Sequence, residues 1–350
     1  MKRLRALKYL NVFTLPTLVL ISFHAHGFWT FLPMLEAFVL IPLLELAFKP
    51  DTSNLTQEEE KKLREDSLYD YLLYLVVPVQ FVCLYFFLNT INESGLTWVD
   101  QLGRTSAMGL MCGVIGINVA HELGHRNTWY EQLMAKALLM TSLYMHFFIE
   151  HNRGHHKNVS TPEDPSSARI GEPLYSFWIR SVVNAYLSAW KLENERLAKK
   201  GKSAVSFKNE MLVFQLIQVV FVGVIFAVYG GQVMLFFVAA AVMGFLLLET
   251  VNYIEHYGLS RERKSNGAYE RVMPHHSWNS DHMVGRLILF ELSRHSDHHY
   301  IASRKYQILR HMDESPQMPT GYPGMMLLAT VPPLWFKVMD GRINKKLANA

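Results

Sequence analysis

Long, nearly charge-free apolar blocks restrict this chain more than any other feature of its sequence. They run near 9–27, 28–48, 70–91, 103–121, 131–149, 211–229 and 232–251. Each approaches the ~20 residues a helix needs to cross the hydrocarbon core of a bilayer. Inside lipid the backbone must satisfy its own polar groups, so such blocks fold as helices. The expected fold class is an all-α integral membrane protein. The N-terminal Met1-Lys-Arg-Leu-Arg is signal-like, but a second apolar block follows the first with no clear small-residue cleavage site, so block one counts as a span. Two cysteines, Cys83 and Cys112, both inside apolar blocks, exclude a disulfide framework and a four-cysteine metal site. A net charge of +4 without a compact basic domain argues against nucleic acid as a partner.

Histidines reduce seven candidate spans to six. Of the 16 histidines, nine fall into a pattern: His121-Glu-Leu-Gly-His125, His151-Asn-Arg-Gly-His155-His156, the single His256 in Asn252-Tyr-Ile-Glu-His-Tyr-Gly258, and His295-Ser-Asp-His298-His299. The first group closes block four and the second opens directly after block five. If both serve one site, block five cannot cross, because a spanning helix would separate them by ~30 Å. It is therefore expected to lie in the interface or to dip in and return. Six spans remain, with both termini on one face.

Charge placement agrees. Lys2, Arg3, Arg5 and Lys8 precede block one, and Lys49, Lys61, Lys62 and Arg64 lie between blocks two and three. The opposite loops near 24–30, 92–101 and 230–232 hold no Lys or Arg. The positive-inside rule puts the termini and the histidines in the cytoplasm. Segment 51–67 reads as a solvated surface helix. Segment 172–200, with Tyr175, Phe177, Trp178, Tyr186 and Trp190 among charges, reads as an interfacial helix.

Spacings of three and four place imidazoles on one helical face. Any single pair could be a surface accident, but three clusters and a singleton at one membrane face point to metal. Imidazole alone does not choose among Zn, Cu, Fe and Ni. A catalytic zinc takes three protein ligands, whereas nine histidines can serve two ions, and redox chemistry explains why so many would be assembled. Carboxylates beside them can offset the charge: Glu122, Glu150, Asp164, Glu255 and Asp297. Asn118 and Asn252 stand about one turn before a ligand histidine, and Glu249 lies inside a span, where an ionisable group is costly. His24, His26, His146, His275, His276, His282 and His311 are left outside the site. His121-Glu-Leu-Gly-His125 also matches the HExxH of zinc proteases, with Glu122 as base. That reading needs one further distant ligand and leaves six patterned histidines without a role.

These motifs resemble the membrane-bound alkane monooxygenases (alkane omega-hydroxylases), within the histidine-rich membrane di-iron oxygenase and desaturase superfamily. The likeness covers about residues 115–340. It rests on Asn118-Val-Ala-His-Glu-Leu-Gly-His125, Glu150-His-Asn-Arg-Gly-His-His156, Thr161-Pro-Glu-Asp-Pro165, Asn252-Tyr-Ile-Glu-His-Tyr-Gly-Leu259 and Arg294-His-Ser-Asp-His-His299. Gly321-Tyr-Pro-Gly-Met-Met326 and Pro332-Pro-Leu-Trp335 extend it. The three-cluster pattern is shared with fatty-acyl desaturases and sterol oxidases, whereas the motif around His256 marks the alkane and xylene monooxygenase group. Arg126, Ser293 and Asp281 depart from the expected Lys, Gln and Asn.

The resemblance implies one membrane-embedded domain over 1–350 in a bacterial-type inner membrane. It implies His121, His125, His151, His155, His156, His256, His295, His298 and His299 as ligands of two iron ions. The implied reaction is O2-dependent terminal hydroxylation of a medium-chain alkane to a primary alcohol, with xylene or alkyl-aromatic hydroxylation and desaturation as alternatives. No GxGxxG follows a strand and cysteines are too few for a rubredoxin module, so electrons come from outside. The family implies a rubredoxin-like donor fed by an NAD(P)H-dependent reductase. Arg153, Lys157, Arg169, Arg294, Arg304 and Lys305 can form a complementary basic surface, or serve as internal ion-pair partners. An alkane entering from the bilayer needs an end-on channel, for which Phe31, Met34 and Phe38 of the second block are candidates, Phe31 and Phe38 sharing a helical face at their seven-residue spacing.

Overall fold

The computed structural model describes residues 2–348. The described chain is all-helical, with two isolated β-bridges and no strand. Six helical segments are long and apolar enough to cross a bilayer: Arg5–His24, Gly27–Ala47, Leu68–Thr90, Trp98–Gly124, Glu210–Tyr229 and Gly231–His256. They are the first to sixth spans here.

The fourth and sixth spans extend several residues beyond their apolar blocks. The fourth begins at Trp98 because Thr97 and Asp100 form a capping box, Asp100 N–H donating to the Thr97 hydroxyl (3.2 Å) and Thr97 N–H to the Asp100 carboxylate (2.8 Å). Arg104, in this first stretch, is buried and donates to Thr90 O (2.7 Å), Glu93 (3.0 Å) and Ala25 O (3.1 Å). A hydropathy pattern hides such a satisfied arginine inside a helix. The sixth runs on to His256, so the single-histidine motif sits on its last turns.

The remaining apolar block does not make a span. Trp129–Thr141 has 13 residues, ~20 Å of helix. Leu143 then takes a left-handed backbone with φ 52°, and a short helix, Phe147–Glu150, leads directly into His151.

The chain divides into two compact units that interleave in sequence. One comprises residues up to Val39, Ser67–Glu150 and Tyr186–Leu248; the other comprises Leu40–Asp66, His151–Ala185 and the chain from Glu249. In the first unit the fourth span is the most deeply buried. It meets the sixth span through glycines: a Cβ on Gly113 would lie 2.6 Å from Gly244 O, and one on Gly244 would lie 2.5 Å from Cys112 Cβ. Without a hydrophobic drive between helices in lipid, close backbone approach through small residues supplies the packing. The fifth span instead exposes Leu216, Val219, Val220, Val224, Phe226 and Val228, as a helix facing lipid must.

The second span is irregular. Gly27–Phe31 is a 3₁₀ turn, Leu32–Leu35 is α-helical, Glu36–Leu40 widens to a π-turn, and Ile41–Ala47 returns to α. Pro33 and Pro42 stand near the starts of its α-helical pieces, where the missing N–H is tolerated. The seven-residue spacing of Phe31 and Phe38 assumed a regular α-helix, and the π-turn at Glu36–Leu40 departs from that geometry. Phe31, Met34 and Phe38 are each half-buried.

In the second unit, the charged helix Gln57–Arg64 starts at a capping box of Thr56 and Glu59. It is not wholly solvated, as its charge suggested. Leu63 and Glu60 are buried, and Glu60 accepts from the Arg310 guanidinium (Nη2 to Oε2 2.6 Å). Nearby, Arg286 and Arg294 are buried around Asp281, at 3.7 and 3.2 Å. Segment 172–200 forms the helix Leu174–Lys199.

Candidate metal centre

Two histidine groups stand inside the second unit. His155, His256, His295 and His299 form one, with ligand atoms all within 4.8 Å of one another and every ring buried. Three elements supply them: the turn after Glu150, the end of the sixth span, and the helix His295–Tyr300. His151, His156 and His298 form the other. The His156 Nε2 lies 3.0 Å from His151 Nε2 and 3.1 Å from His298 Nε2.

The second cluster separates its own histidines by a local backbone feature. His151–His155 is a π-turn, a wide turn frequent at functional sites. With five residues per hydrogen-bonded step, His151 and His156 come to one side (ring centroids 4.6 Å apart). His155 packs instead on His256 and His299, at 4.9 and 4.8 Å. Regular α-helical spacing would have put His151 on one face with His155 rather than with His156.

These rings fit metal better than they fit one another. A ring nitrogen carries either one hydrogen or one lone pair, so His156 Nε2 cannot bond both neighbours that it touches. Nitrogens held ~2.0–2.1 Å from one ion stand roughly 3 Å apart at right angles, the spacing seen here. His299 makes the same point. Both its ring nitrogens are buried and make no hydrogen bond, and burial pushes its proton affinity well below that of ordinary imidazole. It is neutral, as a metal ligand must be.

The predicted carboxylates divide by what they touch. Asp164 accepts from His155 Nδ1 at 2.9 Å, from the Ser167 hydroxyl at 2.6 Å and from Ser166 N–H at 3.1 Å. Burial alone would raise this carboxyl, but the His155 ring and the hydrogen bonds outweigh it and hold it below its ordinary value. His155 is thereby fixed with Nε2 turned to the cluster. Glu255 contacts His295 Nε2 (3.2 Å), and its other oxygen accepts from the Tyr322 hydroxyl (2.7 Å). Tyr322 was not singled out from the sequence, although the Gly321-Tyr-Pro-Gly stretch was its signal. Asp297 turns from the histidines on its own helix to Arg304 (2.6 Å) and Arg310 N–H (2.9 Å). Asn252 donates to Glu249 (3.3 Å), which also accepts from Ser181 (2.5 Å).

In the first unit, His121 and His125 have ring centroids 4.9 Å apart, and Asn118 is buried one turn earlier. Glu122 is paired with Arg126 at 2.6 Å, which is not the disposition of a protease base awaiting a water. Buried Glu150 lies 3.4 Å from the Ser188 hydroxyl. His146, set aside at the sequence level, is buried against Tyr144 at 4.2 Å, where burial pushes its pKa down to about 3.

The other histidines have separate settings. His26 is exposed 3.9 Å from Asp100, and His24 packs on Phe86. His311 bridges Asp281 (2.7 Å) and Asp313 (3.1 Å). His282 is near Ser280 (3.0 Å). His276 and His275 gather with Glu270, but His276 Nδ1 accepts from Met273 N–H (2.9 Å) while its Nε2 faces Glu270 (3.0 Å). A neutral histidine accepting at one nitrogen donates from the other, so His276 is a satisfied structural residue.

The basic residues also divide. Lys157 and Arg169 are exposed. Arg304 is engaged by Asp297, and buried Arg294 donates to Asp281, Leu309 O, Asp51 O and Ser53 O. A half-open cavity of about 300 Å³ lined by Thr161, Asp164, Ser167 and Arg169 reaches the carboxylate that holds His155.

Comparison with known proteins adds to this geometry. Residues 96–328 match the fatty acid desaturase family. The chain is 43% identical over 318 residues to alkane 1-monooxygenase 2 of Pseudomonas aeruginosa, covering 90% of this chain and 84% of that one. It is 40% identical over 317 residues to the alkane 1-monooxygenase of Ectopseudomonas oleovorans, covering 91% and 79%. It is 28% identical over 326 residues to the xylene/toluene monooxygenase hydroxylase component XylM of Pseudomonas putida, covering 91% and 84%.

Proposed function

This chain belongs to the alkane 1-monooxygenases of the fatty acid desaturase family, and we propose that it performs terminal hydroxylation of medium-chain n-alkanes at a site of two histidine-held irons. The observation that carries this reading is the separation of the histidines into two tight groups, one of them wholly buried. In this reading His155, His256, His295 and His299 hold one iron. His151, His156 and His298 hold the other, and the sequence motif adds His121 and His125 as further iron ligands. The whole chain, 1–350, works as one membrane-embedded catalytic domain.

Iron, when bound, supplies the redox chemistry by which O2 is activated. The overall change is one C–H bond oxidised to C–OH, with O2, two electrons and two protons consumed and one water released. The protein's own residues do the rest. Asp164 fixes the His155 tautomer through Nδ1, and Tyr322 holds Glu255 against His295. Burial of the rings keeps bulk water from the reacting carbon. An alkane dissolved in lipid reaches such a site between apolar helices, with Phe31, Met34 and Phe38 as candidate channel walls.

Electrons arrive from a separate rubredoxin-like donor, itself reduced by an NAD(P)H-dependent reductase. Exposed Lys157, and exposed Arg169 at the Asp164 cavity, suit an acidic partner. The charge asymmetry of the loops supports an inner-membrane protein with both termini and the metal site in the cytoplasm. The test is incubation of the intact protein with octane, an electron donor and ¹⁸O2. Labelled 1-octanol is expected; an alkene or unlabelled product would overturn the reading.

A further inference from the structure

A basic, apolar loop stands outside everything assigned above. Residues 199–208 connect the helix Leu174–Lys199 to the fifth span, which begins at Glu210. Lys199, Lys200, Lys202 and Lys208 are all exposed, and no acidic residue lies between 196 and 209. Val205 is 85% and Phe207 87% exposed, more than any other large apolar side chains described.

The loop is built to hold these side chains outward. Asn209 caps the fifth span by accepting from Met211 and Leu212 N–H, and its amide donates to Ala204 O at 2.7 Å. The Ser203 hydroxyl accepts from Val205 N–H at 3.1 Å, and Asn209 N–H closes onto Ser206 O at 2.9 Å. Lys202 N–H returns to Leu197 O at 2.9 Å. Arg196 is meanwhile committed to Glu193, so the four lysines carry the loop's outward charge.

We propose that residues 199–208 bind the anionic phospholipid headgroups of the leaflet in which the fifth span starts. Phe207 stands three residues before that span, which fixes it at headgroup depth. There an aromatic and a β-branched side chain reach the acyl boundary while lysines meet phosphate oxygens. An acidic soluble protein would satisfy the lysines but leave Val205 and Phe207 in water, so the bilayer is the occupant that fits both features.

The test is hydrogen–deuterium exchange of the loop in the intact protein, in nanodiscs of phosphatidylcholine alone and with phosphatidylglycerol added. Phosphatidylglycerol should slow exchange at 199–209. Replacing Lys199, Lys200, Lys202 and Lys208 by Gln should abolish that difference, each lysine accounting for roughly fivefold in lipid preference. The pair Val205→Ser and Phe207→Ser should keep the charge preference and lose protection in both bilayers. Equal exchange in the two bilayers would overturn the proposal. So would protection by an acidic protein in phosphatidylcholine with none from phosphatidylglycerol.

Discussion

Asp164 accepts a hydrogen bond from His155 Nδ1 at 2.9 Å, with both side chains out of contact with solvent. A carboxylate behind a ligand imidazole fixes its tautomer and raises its basicity, and loss of such a partner costs ~10–100-fold in metal affinity or activity. Asp164→Asn should therefore weaken metal retention against a chelator by about that range, while Glu163→Gln, an exposed neighbour, should not. Unchanged retention in Asp164→Asn would remove Asp164 from the site.

Charge reversal separates docking residues from structural ones. Lys157→Glu and Arg169→Glu should raise KM for an acidic protein donor, and added salt should do the same, because exposed charges are screened. Metal content should stay constant in both. Arg304→Glu faces Asp297 at 2.6 Å and should lower stability and metal content together. A donor-specific KM effect from Arg304→Glu alone would invert this assignment.

Helix packing in the first unit depends on the absence of a side chain at Gly244. Gly244→Leu drives carbon into Cys112 and Gly113 and should destabilise by at least ~1–3 kcal/mol, the range for overpacked cores. Gly223→Leu on the fifth span meets nothing within 4 Å and should leave the thermal midpoint unchanged. Equal midpoints for the two variants would contradict the close crossing.

Substrate length tests the second span. Phe31→Ala, Met34→Ala and Phe38→Ala, compared at matched iron loading, should shift oxidation from octane toward longer alkanes in at least one case. Each buried CH₂ gained is worth ~0.8 kcal/mol. Three unchanged profiles would place the channel elsewhere.

Legibility in the sequence followed the strength of the underlying constraint. Six spans were readable because lipid forces apolar helices of fixed length, and the short Trp129–Thr141 helix agrees with block five not crossing. The span ends were not. Arg104 and Asp100 are charged yet satisfied inside a helix, and hydropathy cannot register a hydrogen bond. The histidine clusters were readable from type and spacing, but their division was not. The π-turn at His151–His155 decides which ring joins which group, and no residue there announces a widened turn. Likewise the π-turn at Glu36–Leu40 departs from the regular periodicity assumed for Phe31 and Phe38. Long-range partners such as Tyr322 with Glu255, or Glu60 with Arg310, depend on tertiary folding that local pattern does not encode.

Metal analysis of the purified, intact protein bears most directly on the two-iron site. Elemental analysis together with Mössbauer spectroscopy should find two irons per chain in nitrogen-rich surroundings. His256→Ala should lose iron, and His311→Ala should retain both. One zinc per chain, or full iron content in His256→Ala, would contradict the account.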